Sequence, residues 1–104
     1  MRMRSADDYT GISELTIVDT FTRLIFGEEA GFQPRDRLII RAFRDVDANV
    51  FMDSPAEMGE YLRGLGVREM IYLVSRIREQ LDSEALAVRA RAEERAAQHN
   101  TDTG

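Results

Sequence analysis

The stretch DVDAN, residues 45–49, carries short oxygen donors at alternate positions: Asp45, Asp47 and Asn49. Hard cations such as calcium take several carboxylate and carbonyl oxygens, and a loop that offers one at every second residue can wrap around the ion. Asp53 adds a further carboxylate at the ninth position counted from Asp45. Cation binding is therefore the first chemistry to weigh, and the surrounding residues decide whether it can be built.

The segment resembles an EF-hand loop. AFRD stands where the incoming helix would end, and EMGEYLRGLG is similar to an outgoing helix. The resemblance implies a helix–loop–helix closing on calcium, with a Gly at the sixth position and a bidentate Glu at the twelfth. Here Val50 occupies the Gly position, Pro55 the eleventh and Ala56 the twelfth, and Glu57 comes one residue late. Without the sharp turn and the bidentate ligand the coordination sphere is incomplete. The segment reads as a polar turn whose short side chains cap helix ends, with no metal site and no cofactor.

Other chemistry is thinly supported. There is no cysteine, which removes thiol nucleophiles, thiolate metal sites and disulfides. The single histidine, His99, lies near the C-terminus, so neither a nucleophile–histidine–acid triad nor a histidine-ligated metal can be assembled. Paired acids occur at Asp45/Asp47, Glu28/Glu29 and Glu93/Glu94, none with the apolar surroundings that would tune a carboxyl for acid–base work. No glycine-rich phosphate loop is present. The expectation is a protein that is not an enzyme.

The elements that would position these residues are helices. Ser13 suits the N-cap of a first helix over 14–27, whose Leu15, Ile17, Val18, Phe21, Leu24, Ile25 and Phe26 cover more than half its circumference. Only Thr16, Asp19, Thr20 and Arg23 are left as a polar strip. So wide an arc marks a central helix, or one that also buries itself against a partner. Pro34 opens a second helix over 34–46, with Leu38, Ile39, Ala42, Phe43 and Val46 inward and Arg37, Arg41 and Arg44 on the opposite face.

Ser54-Pro55-Ala56-Glu57 has the composition of a capped helix start. That helix, with Met58, Tyr61, Leu62 and Leu65 inward, stops at Gly64-Leu65-Gly66. A fourth runs over 67–81 with Val67, Met70, Ile71, Val74, Ile77 and Leu81 as its apolar stripe. Residues 83–98 are Ala-rich helix, either separately capped at Asp82-Ser83 or continuous with the fourth. The domain reading is a flexible arm over 1–11, a helical core over 12–82, a C-terminal helix over 83–98 and a disordered tail over 99–104. The fold class is all-α, a compact bundle of four to five helices with a loosely packed Ala-rich C-terminal helix.

Two interaction readings compete. Tyr72 lies opposite the apolar stripe of the fourth helix, with Arg68 and Arg76 one turn away on either side, and exposed Tyr and Arg are enriched in protein–protein hot spots. Ile40, Phe51 and Met52 add apolar side chains off the main stripes. Alternatively, LRGLGVREM is a helix-turn-helix pivoting at 64–66, with Arg37, Arg41 and Arg44 as nucleic-acid contacts. Against that stands an acidic chain: net charge −5, with five acids and no base from Asp45 to Glu60. All fourteen basic residues are Arg, which offers planar donors to carboxylates, rings or phosphate.

At 104 residues, 43% apolar and 32% charged, the chain forms one soluble domain. It has no apolar run near the ~20 residues a membrane span requires, and no apolar leader segment. The expected function is a small regulatory module that docks on an unidentified protein partner in the cytoplasm. It self-associates as a homodimer through its first or last helix, and makes no membrane contact.

Overall fold

The computed structural model describes residue 9 and residues 11–47 and 54–102, with side chains through residue 97. Four α-helices, α1 (Glu14–Phe26), α2 (Pro34–Val46), α3 (Pro55–Arg63) and α4 (Val67–Asp102), are joined by short connections, one of which holds a 3-10 turn at Glu29–Gly31. No strand occurs among the described residues. No helix among them is long and apolar enough to cross a membrane.

Each short helix starts where a side chain satisfies its orphan amides. The Ser13 hydroxyl accepts from the Thr16 N–H at 3.3 Å, and the Thr16 hydroxyl accepts from the Ser13 N–H at 3.2 Å. These two bonds close a capping box. Ser54 accepts from the Glu57 N–H at 3.3 Å, with Pro55 at the first helical position. The α2 start is held by Asp36, whose carboxylate accepts from the Gln33 N–H at 2.7 Å. The α1 end needs a left-handed residue, and Gly27 supplies it at φ +72°.

The core draws on every helix. It contains Ile17, Phe21 and Leu24 of α1; Leu38, Ile39, Ala42 and Phe43 of α2; Met58 and Leu62 of α3; and Leu73, Val74, Ile77 and Leu81 of α4. Phe43 sits at its centre, its ring 5.4 Å from that of Phe21 and 6.1 Å from that of Tyr61. Burying side chains of this size supplies roughly 1.5–3 kcal/mol each before chain entropy is charged against it. Helices α1 and α3 approach closely. Gly59 is buried there, and a Cβ on it would run into the carbonyl oxygen of Leu24.

Three expectations change. Val67 and Ile71 are exposed and Leu73 is buried, so the α4 stripe is rotated from the predicted one, toward α2. Thr20 is fully buried, so the polar strip of α1 faces the interior in part. At Asp82-Ser83 the continuous one of the two readings holds, and the change lies further on, at 99–102. With no Gly or Pro between Val67 and Asp102, α4 is one helix of 36 residues, and it includes 99–102, where composition predicts a tail. A Ser or Asp caps a helix only after a break, and Leu81 and Ala85 keep the ladder packed on both sides of the pair.

The helix is about 54 Å long at 1.5 Å per residue. It spans nearly the whole 58 Å long axis of the molecule and overhangs the body. Of the arm expected over 1–11, residues 1–8 and 10 lie outside the described residues. Tyr9 is buried and donates its hydroxyl to Glu84 at 3.3 Å.

Candidate interaction surface

Tyr72 stands out from α4 at 65% exposure, and the Arg76 guanidinium lies over its ring, 5.8 Å from the centroid. Arg68, one turn earlier, is also exposed. Packing a guanidinium on a tyrosine in water is worth about 0.5–1 kcal/mol.

Beside this trio runs a second feature. Val67, Ile71 and Arg78 fall on one line of α4 at helical spacing, and Arg78 bonds Glu14 of α1 at 3.2 Å. Glu14, Val18 and Ile25 fall on one line of α1. At the far end of α1 the Ile25 carbonyl accepts from the guanidinium of Arg63, four residues before α4 begins. The two helices therefore run antiparallel, joined at one end by the Glu14–Arg78 pair.

On the outward sides of these two helices Leu15 is 81% exposed, Phe26 70%, Val67 78% and Ile71 64%, and Val18 is about half in water. The wide arc of α1 thus divides into an inward half that fills the core and an outward half that does not.

What holds α1 in this orientation is a buried polar junction that sequence reasoning missed. Asp36 is 2% exposed. Its carboxylate accepts from the Thr20 hydroxyl at 2.5 Å and the Gln33 N–H at 2.7 Å, and the Arg23 guanidinium lies at 3.5 Å. Arg23 also reaches the Gly31 carbonyl and pairs with Asp19. A buried carboxylate with both oxygens engaged pins two helices to one rotation. The available signal was Gln33-Pro34-Arg35-Asp36, a helix start with an acid at its third position, but nothing local tells that acid to turn inward.

The DVDAN segment is partly engaged in packing. Asp47 accepts a 2.6 Å bond from the Tyr61 hydroxyl, tying the end of α2 to α3. This bond, then burial, then the Asp47 and Glu69 charges push the Tyr61 hydroxyl up to about 12 from 10.0. Asp45 is exposed, and Asn49 and Asp53 lie outside the described residues. Among the described residues no group of three or more His, Asp or Glu side chains is placed to hold a metal.

Ile40 is half-buried and packs on the core, while Phe51 and Met52 lie outside the described residues. Arg37, Arg41 and Arg44 are exposed along α2. The helices on either side of Gly64–Gly66 rest on other elements, α3 on α1 and α4 chiefly on α2. The paired helices of a helix-turn-helix lean on each other.

No family model matches the chain, and no curated protein or solved structure matches it.

Proposed function

We propose that this protein is a small non-catalytic docking module that works by binding another protein through the outward face of α4 and α1, and that it does so as a homo-oligomer. One observation carries the reading. Tyr72, with Arg76 over its ring and Arg68 exposed one turn earlier, shares α4 with Val67 and Ile71, large apolar side chains that stand in water. Amphipathic aromatic and guanidinium groups beside an apolar strip are the make-up of a protein-binding hot spot. The nucleic-acid alternative draws on Arg37, Arg41 and Arg44, and it is weakened by the way α3 and α4 pack apart and by the net charge of −5.

A photo-crosslinking residue placed at position 72, and separately at position 41, tests this in living cells. The expected result is a discrete protein adduct from position 72 that disappears when Arg68 and Arg76 are changed to Ala. Nucleic acid crosslinked from position 41, with binding that falls steeply with salt, would replace this reading with the nucleic-acid one.

A further inference from the structure

Where the chain approaches α1 it passes α4, and the two leave a pocket of about 300 Å³ between them. Tyr9 and Ile12 form one side, and Asp82, Ala85, Leu86 and Arg89 of α4 form the other. A water needs only roughly 10–15 Å³ of such space, so a branched aliphatic side chain fits. The four α4 residues are positions i, i+3, i+4 and i+7 of one helix. That is the four-residue hole which receives a side chain from a second helix in knobs-into-holes packing.

The same face carries a knob. Leu86 is 65% exposed at the edge of the pocket. Asp82 and Arg89 stand about one turn to either side of it, both exposed. Among the described residues neither is in an ion pair within its own chain, whereas Arg23 pairs with Asp19 and Asp36, and Arg78 with Glu14. The point midway between Asp82 and Arg89 falls between Ala85 and Leu86, next to the middle of α4.

We infer that this pocket is the centre of a two-fold homodimer in which the α4 helices of two copies pack antiparallel, each Leu86 seated in the mate's pocket. This rests on the homo-oligomer of the docking reading above and names its interface. A two-fold axis between Ala85 and Leu86 brings Asp82 of each copy level with Arg89 of its mate, so each charged wall of the hole meets the opposite sign. A parallel pair in register would set Asp82 beside Asp82 and Arg89 beside Arg89, which like-charge repulsion disfavours. Further out, Glu93 comes level with the mate's Arg78, which keeps its bond to Glu14.

The position of the axis also gives the second half of α4 something to lie on. Residues 89–97 are exposed throughout, so their own chain covers none of them. In the antiparallel pair they run along the mate's Ser75 and Ile71, and Ile71 is itself 64% exposed. Tyr72 follows Ile71 by one residue and turns about 100° away, which leaves it open to a different protein. A self-complementary face of this kind is what a closed dimer requires.

Sedimentation equilibrium over a concentration series tests it on the full chain. The wild type should reach twice the 11.9 kDa chain mass. Leu86→Glu should weaken association on the order of a hundredfold by setting an unpaired charge in the pocket, and the milder Leu86→Ala should weaken it about tenfold. Leu86 is exposed in the single chain, so the far-UV signal at dilution should not change. Asp82→Arg and Arg89→Asp should each weaken the dimer, and the double exchange should restore it.

A wild type that stays monomeric throughout the series overturns the inference and leaves the Tyr72 crosslink to judge the docking reading separately. A dimer indifferent to both Leu86 substitutions overturns it as well, by placing self-association elsewhere. So does a double exchange that fails to restore what the single exchanges lose, since only the antiparallel pair sets position 82 against position 89.

Discussion

The two faces of α1 are built from the same kind of residue and end in opposite environments. Ile17, Phe21 and Leu24 are within 2% of complete burial, whereas Leu15, Val18 and Phe26 stand in water. Hydrophobicity cannot account for the difference, since each face holds large apolar side chains and one Phe. The polar residues between them account for it. Thr20 and Arg23 are drawn to the buried carboxylate of Asp36, and that fixes which half of the arc turns inward. A polar junction thus decides which apolar surface becomes core and which is left in water, although such junctions add little net stability themselves.

Substitutions sharpen the contrast, and the inward face should respond most. Phe21→Ala should cost about 4 kcal/mol of unfolding free energy in a denaturant titration, since it removes a ring that packs on Phe43. Asp36→Ala should cost about 3 kcal/mol, because it leaves the Gln33 N–H without its acceptor, removes the partner of Arg23 and leaves the Thr20 hydroxyl only the Thr16 carbonyl. If that loss were no larger than for an exposed acid, the junction would not be what orients α1.

Gly59→Ala should cost about 2 kcal/mol, because α1 and α3 must separate to clear the Leu24 carbonyl. An unchanged denaturation midpoint would mean the crossing can relax. By contrast, Phe26→Ser, measured at dilution, should lie within about 0.5 kcal/mol of the wild type. A large loss there would mean that the outward face also stabilises the single chain.

Between these extremes lies a pH effect. The Tyr61 hydroxyl is raised from 10.0 to about 12 in the folded protein by its bond to Asp47. A group whose folded pKa is raised contributes stability that is fully present below its unfolded value and is lost as pH rises through the folded one. Unfolding free energy should therefore fall between pH 10 and pH 12. Tyr61→Phe should flatten that part of the profile and remove a tyrosinate step near pH 12 from the ultraviolet titration.

Much of this architecture was legible beforehand because the signals are local. Ser13, Pro34, Ser54-Pro55 and Gly64–Gly66 mark helix boundaries through backbone amides and dihedrals, and these act within one turn. The limits of α2 follow from them directly. The exposed trio of Arg68, Tyr72 and Arg76 was also legible, since residues one turn apart share a face whatever the rest of the chain does.

What could not be read is where the stripes point. Val67 and Ile71 sit a fraction of a turn from Val74 and Ile77, and only the positions of α1 and α2 decide that Leu73 goes inside in their place. The Asp36 junction and the Gly59 crossing depend on residues from separate helices meeting in space. A Gly in the middle of a helical stretch looks like a weakness until the facing carbonyl is known.

The unbroken length of α4 has a mechanical consequence. From Leu81, the last buried residue among those described, to Asp102 the helix runs on the order of 30 Å with no Gly or Pro to act as a hinge. Anything held at its tip is indexed to the body in angle as well as distance. Deleting a single residue beyond Leu81 would turn the tip by about 100° against the Tyr72 face, so the spacing works as a gear tooth and not as slack rope.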